Sequence, residues 1–66
     1  MKQYDEVRLR TDKYIGEGIK KGDVGTILEE FDEGAYFLVE FSDKKGITIV
    51  LNAFPREELE WVRSWT

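Results

Sequence analysis

The sequence predicts an all-β fold: one small, five-stranded, partly open barrel with a 3₁₀ or short helical turn before the last strand. Three observations carry this. The 66 residues leave room for one domain and one core. The apolar residues fall in short runs rich in β-branched and aromatic side chains, punctuated by six Gly and one Pro. Those runs follow one another at hairpin spacing, and small all-β chains hide their strand edges by closing on themselves.

Residues 4–10 read as the first strand, where Val7 and Leu9 alternate with Glu6, Arg8 and Arg10, the period of a half-buried strand. Residues 11–22 form a long loop with Gly16, Gly18 and Gly22 as its flexible points. Its large apolar residues, Tyr14, Ile15 and Ile19, supply what folds back over the barrel end. Residues 23–31 are the second strand. Val24 and Ile27 both read as core-facing although they are three apart, and Gly25 between them marks a bulge or a close backbone approach. Asp32-Glu33-Gly34 is a hairpin turn signal, with Gly34 free to take a positive φ. Phe31, beside it, is expected to point inward.

Residues 35–41 are the third strand, with Ala35, Phe37, Val39 and Phe41 on one face and Tyr36, Leu38 and Glu40 on the other. Residues 42–46 are a polar turn. Residues 47–51 are the fourth strand, with Ile47, Ile49 and Leu51 on one face. Pro55 followed by Arg56-Glu57-Glu58-Leu59 reads as a single helical turn, Pro being pre-set for its start. So few residues make no independent helix. Residues 60–65 are the closing strand, with Trp61, Arg63 and Trp65 on one side and Val62 on the other. Trp61 is expected to pack in the barrel near Leu59 and Val62.

Composition narrows the chemistry. There is no Cys and no His, which excludes disulfides, thiolate and imidazole metal sites and most nucleophilic triads. The core must carry stability without a staple, and the 41% hydrophobic and 14% aromatic content makes that feasible. No run of about 18 apolar residues is present, so no membrane span is expected. Met1-Lys2-Gln3-Tyr4-Asp5-Glu6 is charged at once and does not resemble a secretory signal. Absence of Cys fits a reducing compartment, and the expected location is cytoplasmic. The 14 Asp and Glu make carboxylate pairs inevitable by chance. Most of them sit at turn tips or alternate with core residues, where the burial that tunes a catalytic carboxylate is missing. No EF-hand spacing occurs, and no helix start follows the loop glycines to make a phosphate cradle. The expectation is a binding protein and not an enzyme, with no cofactor and no metal.

A formal net charge of −4 and a pI near 4.7 run against a domain that grips phosphates. The acidic run Glu29, Glu30, Asp32 and Glu33 is the sharpest feature. It either steers and seats a basic partner or is a solvated hairpin tip. Tyr36 and Leu38 either anchor a partner or lie under the long loop. Trp65, one residue from the end, either folds back onto the body or meets a partner. Lys20-Lys21 and Lys44-Lys45 are the only basic pairs. They either meet across the barrel rim as a positive patch or are solvated loop charges.

The element order is similar to that of SH3-like barrels, and Lys21-Gly22-Asp23-Val24-Gly25-Thr26-Ile27 resembles the glycine-centred strand entry of KOW-type domains in the same fold class. From Tyr4-Asp5-Glu6-Val7 through Ala35-Tyr36-Phe37-Leu38-Val39-Glu40-Phe41 to Pro55-Arg56-Glu57-Glu58-Leu59, nearly the whole chain resembles an uncharacterised family of short bacterial proteins with this barrel. Members of that family tend to be encoded beside toxin genes. The resemblance implies an immunity protein or antitoxin that binds and neutralises a protein toxin, a nuclease with a basic active-site face. Glu29, Glu30, Asp32 and Glu33 would supply charge, and Tyr36, Leu38 and Trp65 apolar anchorage. The KOW resemblance implies an alternative, binding of RNA or of a ribosomal or transcription protein through Lys20, Lys21, Lys44 and Lys45. The acidic Glu29-Glu30-Phe31-Asp32-Glu33 departs from that pattern and makes direct nucleic-acid binding the less expected outcome. Peptide-binding SH3 domains line a groove for Pro-rich ligands with a dense aromatic set, which Tyr4, Tyr14 and Trp61 do not reproduce. A homo-oligomer built on an open strand edge is a third expectation.

Overall fold

Alternation of apolar and polar residues sets five strands in the computed structural model, which describes residues 1–65. They are β1 (Glu6–Leu9), β2 (Val24–Phe31), β3 (Tyr36–Ser42), β4 (Thr48–Pro55) and β5 (Leu59–Arg63). All pair antiparallel in one sheet of order β4-β3-β2-β1-β5. Short 3₁₀ turns occupy Ile15–Glu17 in the long loop, Asp32–Gly34 at the β2–β3 hairpin and Arg56–Glu58 before β5. Pro55 stands just ahead of the last of these with φ −65°, as its ring requires. The core takes Val7 and Leu9 from β1, Ile27 from β2, Phe37, Val39 and Phe41 from β3, Val50 and Phe54 from β4, and Leu59 from β5. Ile19 joins it from the long loop.

Gly25, not Val24, takes the inward position at the start of β2. Val24 is exposed and Gly25 buried. A Cβ on Gly25 would lie 2.8 Å from the Glu40 carbonyl oxygen, 2.8 Å from Val39 Cγ1 and 2.9 Å from Phe41 Cδ1. The close backbone approach expected of this glycine is therefore real, and it is made by β3.

Two register shifts move side chains between faces. Ile27 pairs with Val39, but Glu29 pairs with Leu38, so one extra residue is inserted at Leu28. Parity beyond it reverses. Phe31, expected inside, stands opposite Tyr36 on the outer face and is 38% exposed. On β4, Phe41 faces Val50 while Ser42 faces Thr48, leaving Ile49 as the extra residue. Val50 and Phe54 are buried, and Ile47, Ile49 and Leu51 are exposed. β4 also runs on to Pro55, four residues past its expected end at Leu51. Ala35 is an exposed turn residue outside β3.

The long loop covers one end of the core. Ile19 is buried, and the Tyr14 ring meets Phe54 edge-on with centroids 5.0 Å apart. The Tyr14 hydroxyl donates to Glu58. Burial, and then that carboxylate, push the phenol up to about 12. Ile15 remains exposed.

Asp5 ties the two ends of the chain together. Its carboxylate is buried and accepts from the Lys2 backbone N–H at 3.0 Å, the Ser64 hydroxyl at 2.7 Å and the Trp61 indole N–H at 3.1 Å. The Lys2 ammonium adds a contact at 3.3 Å. Trp61 consequently lies along the edge strand β5 against Asp5 and is 53% exposed. It is not packed in the barrel with Leu59 and Val62 as the sequence suggested. The Ser64 hydroxyl does most to lower the carboxyl, against burial, which acts to raise it; the hydrogen bonds from Lys2 and Trp61 add to the lowering, and the group sits at about 2.

Two outcomes are expected. Gly25→Ala should cost about 2 kcal/mol in urea denaturation, because the new methyl meets backbone. Gly16→Ala, with nothing within 4 Å of its Cβ position, should be neutral or stabilise by up to about 1 kcal/mol. For Asp5 the carboxyl is lowered from 3.8 to about 2 on folding. Its contribution to stability is complete above the unfolded value and is lost as pH falls from there through the folded value. Circular dichroism melts taken between pH 6 and pH 2 should show a shallower loss of melting temperature below pH 4 for Asp5→Asn than for the wild type.

Candidate protein-docking face

The bulge at Leu28 gathers apolar side chains on the outside of the sheet. Outward positions of β2, β3 and β4 line up as Phe31–Tyr36–Pro55, Glu29–Leu38–Ala53 and Thr26–Glu40–Leu51. Residues directly opposite in adjacent strands hold their Cβ atoms about 5 Å apart, so Phe31, Tyr36, Leu38 and Ala53 form one contiguous patch. Phe31 and Tyr36 are 38% and 44% exposed, and Leu38 is half-buried among them.

The four carboxylates of the acidic run distribute around this patch. Glu29 lies on it beside Leu38. Glu30, opposite Phe37, falls on the reverse side. There its Oε2 and Arg56 Nη1 each come within 3.4 Å of where a Cβ on Gly34 would stand. Asp32 and Glu33 form the hairpin tip with φ 51° and 55°, followed by Gly34 at 92°. The left-handed conformation suits Gly34, is tolerated by Asp and disfavours Glu. Among the described residues none of these four carboxylates enters an ion pair, whereas Asp5, Glu6, Asp23, Glu58 and Glu60 all do. Among the described residues Asp12, Glu17, Glu40, Asp43 and Glu57 likewise enter none, and the Arg56 guanidinium stands close to Glu30 behind Gly34.

Trp65 does not join them. Its indole N–H donates to Glu6 Oε2 at 3.2 Å, and the Arg63 guanidinium lies 5.2 Å over its ring. It folds back on the β1–β5 side, with β1 and β2 between it and Tyr36 and Leu38. Phe31, expected to point inward, and Ala53, which the sequence did not single out, complete the patch instead.

The structure brings Lys20 and Lys44 together and sets Lys21 apart. Lys20 and Lys44 line one cleft of about 320 Å³ that also holds Asp23 and Asp43. Lys20 Nζ is 3.0 Å from Asp23 Oδ1, and the Lys20 backbone N–H does most to lower the Asp23 carboxyl. Lys21 lies in a different cleft of about 510 Å³ with Arg8, Arg10 and Glu60. Among the described residues no three His, Cys, Asp or Glu side chains gather as a metal site, and no helix is long and apolar enough to cross a membrane.

A family model matches residues 3–61, nearly the whole chain. The chain belongs to the family described as Domain of unknown function (DUF4926). No curated protein and no solved structure matches it. The DUF4926 match takes in Asp5, the acidic run and the whole outer patch, and ends before Ser64 and Trp65.

The strain at the hairpin tip gives a separable test. Glu33→Gly should raise stability by about 1 kcal/mol in urea denaturation, because glycine adopts the left-handed backbone at no steric cost.

Proposed function

We propose that this DUF4926 chain is a protein-binding domain of the antitoxin or immunity kind, which neutralises a basic protein toxin by covering it. The observation that supports this reading is one juxtaposition: an exposed apolar patch of Phe31, Tyr36 and Leu38 edged by carboxylates that have no ion-pair partner among the described residues. Each part has a role. The unpaired negative charge of Glu29, Glu30, Asp32 and Glu33 accelerates encounter with a basic surface and orients it. The rigid aromatic and aliphatic side chains then hold the complex once water is expelled. Against a nuclease, the carboxylates would stand where the substrate's phosphates lie, so occlusion and charge mimicry would act together. The site calls for no catalytic group and no cofactor, and the natural place of action is the cytoplasm.

RNA binding through Lys20, Lys21, Lys44 and Lys45 has less support. The cleft that brings Lys20 and Lys44 together also holds Asp23 and Asp43, which offset their charge.

Co-expression with the protein encoded next to this chain tests the proposal. The neighbour should arrest growth alone, be harmless with the chain present, and co-purify with it. Reversing Glu29, Glu30, Asp32 and Glu33 to Lys should slow association by about tenfold at low salt, and Leu38→Asp should abolish rescue while leaving the melting temperature near that of the wild type. Rescue that survives both changes would remove this face from the mechanism.

A further inference from the structure

Tyr4 combines two features that packing alone does not account for. Its backbone is left-handed, with φ 71°, a region that bulky residues seldom enter. Its side chain is also 55% exposed. Among the described residues its ring meets no other aromatic ring and no cation.

The turn that holds Tyr4 is well fastened. The Asp5 N–H donates to the Lys2 carbonyl at 3.1 Å, so residues 2–5 close a tight turn with Tyr4 in its third place. Of the two central residues only Tyr4 has a positive φ, the pattern of a type II turn, which favours Gly or Asn there. Three further bonds lock the turn in place. The Tyr4 N–H donates to the Ile27 carbonyl at 2.7 Å, Gln3 Nε2 to the Leu28 carbonyl at 3.1 Å, and the Lys2 N–H to the buried Asp5 carboxylate at 3.0 Å. A strained, exposed aromatic residue is thereby fixed beside the Leu28 bulge, which builds the outer face. Leu38, on the far side of β2, is two strand spacings away, about 10 Å. Backbone strain of this kind persists where the surroundings enforce it, and it gathers at functional sites.

The chain leaves this ring face without a cation. Lys13 lies over Tyr14 and Arg63 over Trp65. The cations carried by neighbouring residues are held elsewhere. Lys2 Nζ is 3.3 Å from Asp5 and 2.7 Å from the Ser64 hydroxyl, and Arg63 Nε is 3.0 Å from Glu6. Glu29, the next residue of β2 after Leu28, lies on the outer face and enters no ion pair among the described residues.

We propose that Tyr4 is a cation-binding anchor of the outer face, whose ring takes an arginine side chain of the basic partner. The carboxylate of Glu29 draws the guanidinium in, and the ring stacks on its plane. Glycine or asparagine would suit the backbone better and would remove the ring. The inference rests on the outer face being a docking surface for a basic protein, and it names the partner side chain that surface selects.

A hexa-arginine peptide, added to the full chain at low ionic strength and followed by NMR of the aromatic rings, tests this. The Tyr4 ring protons should move together with those of Phe31 and Tyr36, while the Tyr14 ring, already under Lys13, should stay in place. Tyr4→Leu keeps the bulk and loses the ring, and should weaken binding about threefold. Tyr4→Phe should bind as the wild type does. Tyr4→Gly should weaken binding as Tyr4→Leu does and yet raise the urea midpoint, because glycine adopts the left-handed backbone freely. A Tyr4 ring that the peptide does not move, a Tyr4→Leu chain that binds as tightly as the wild type, or a Tyr4→Gly chain less stable than the wild type would each overturn the proposal. The protein encoded next to this chain separates the two readings. If it ignores the wild-type chain while the peptide still moves Tyr4, the antitoxin reading falls and the arginine site stands. If it binds the wild type and Tyr4→Leu equally well, the arginine site falls and the antitoxin reading stands.

Discussion

The missing side chain of Gly25 is what lets one sheet enclose one core. β3 crosses so close to β2 at this point that its Glu40 carbonyl oxygen lies 2.8 Å from where a Cβ would be. Any larger residue would push the two strands apart at the place where the sheet turns over itself. Val39 and Phe41, which press on the same spot, would then lose their positions in the core. Phe41 and Phe54, on the paired strands β3 and β4, meet edge-on at 5.4 Å in the core beneath. A chain of 66 residues without a disulfide has little margin to lose such contacts, since small domains bury a modest share of their surface.

The same economy shapes the outer surface. One extra residue at Leu28 reverses the facing of everything between it and the hairpin tip. Without it Phe31 would point into a core already filled by Phe37, Phe41 and Phe54, and Glu30 would join Tyr36 and Leu38 outside. With it an aromatic joins the patch, and the carboxylates are spread over the face, the reverse side and the tip. Some charges elsewhere are paired locally, as at Arg8–Glu60 and Arg63–Glu6. What distinguishes the hairpin is the density of carboxylates from Glu29 to Glu33 around an exposed Phe31.

Much of this architecture is legible in the residues themselves. The alternation of Phe37, Val39 and Phe41 with Tyr36 and Leu38 places β3 correctly, and with it the centre of the candidate face. Pro55 marks the last 3₁₀ turn, and Gly25 announces a close approach. Bulges escape such a reading because they arise from strand twist and hydrogen-bond register and leave no characteristic side chain at Leu28 or Ile49. Phe31 changes face for that reason, whereas Val24 is outside because Gly25 takes the inward place in a regular alternation. Trp61 and Trp65 were hard to place for another. Their indole N–H groups find Asp5 and Glu6, partners more than fifty residues away in sequence, and only the pairing of β1 with β5 brings them within reach. The acidic run is plain in the sequence, but its lack of ion pairs becomes apparent only once every lysine and arginine has a position.

The Asp5 cluster has a mechanical consequence. Glu6 pairs with Arg63, so the chain enters β1 and leaves β5 at the same end of the ladder. A pull applied between the two termini would meet the Trp65–Glu6 hydrogen bond and the Asp5 contacts first. It would then open the β1–β5 hydrogen bonds one after another, as a zip opens, instead of loading them all together in shear. Resistance to stretching would therefore reside in two neighbouring carboxylates, Asp5 and Glu6, and the side chains that hold them. A domain fastened in this way can be firm against heat and still yield to a small directed force, such as that of a machine that threads proteins from one end.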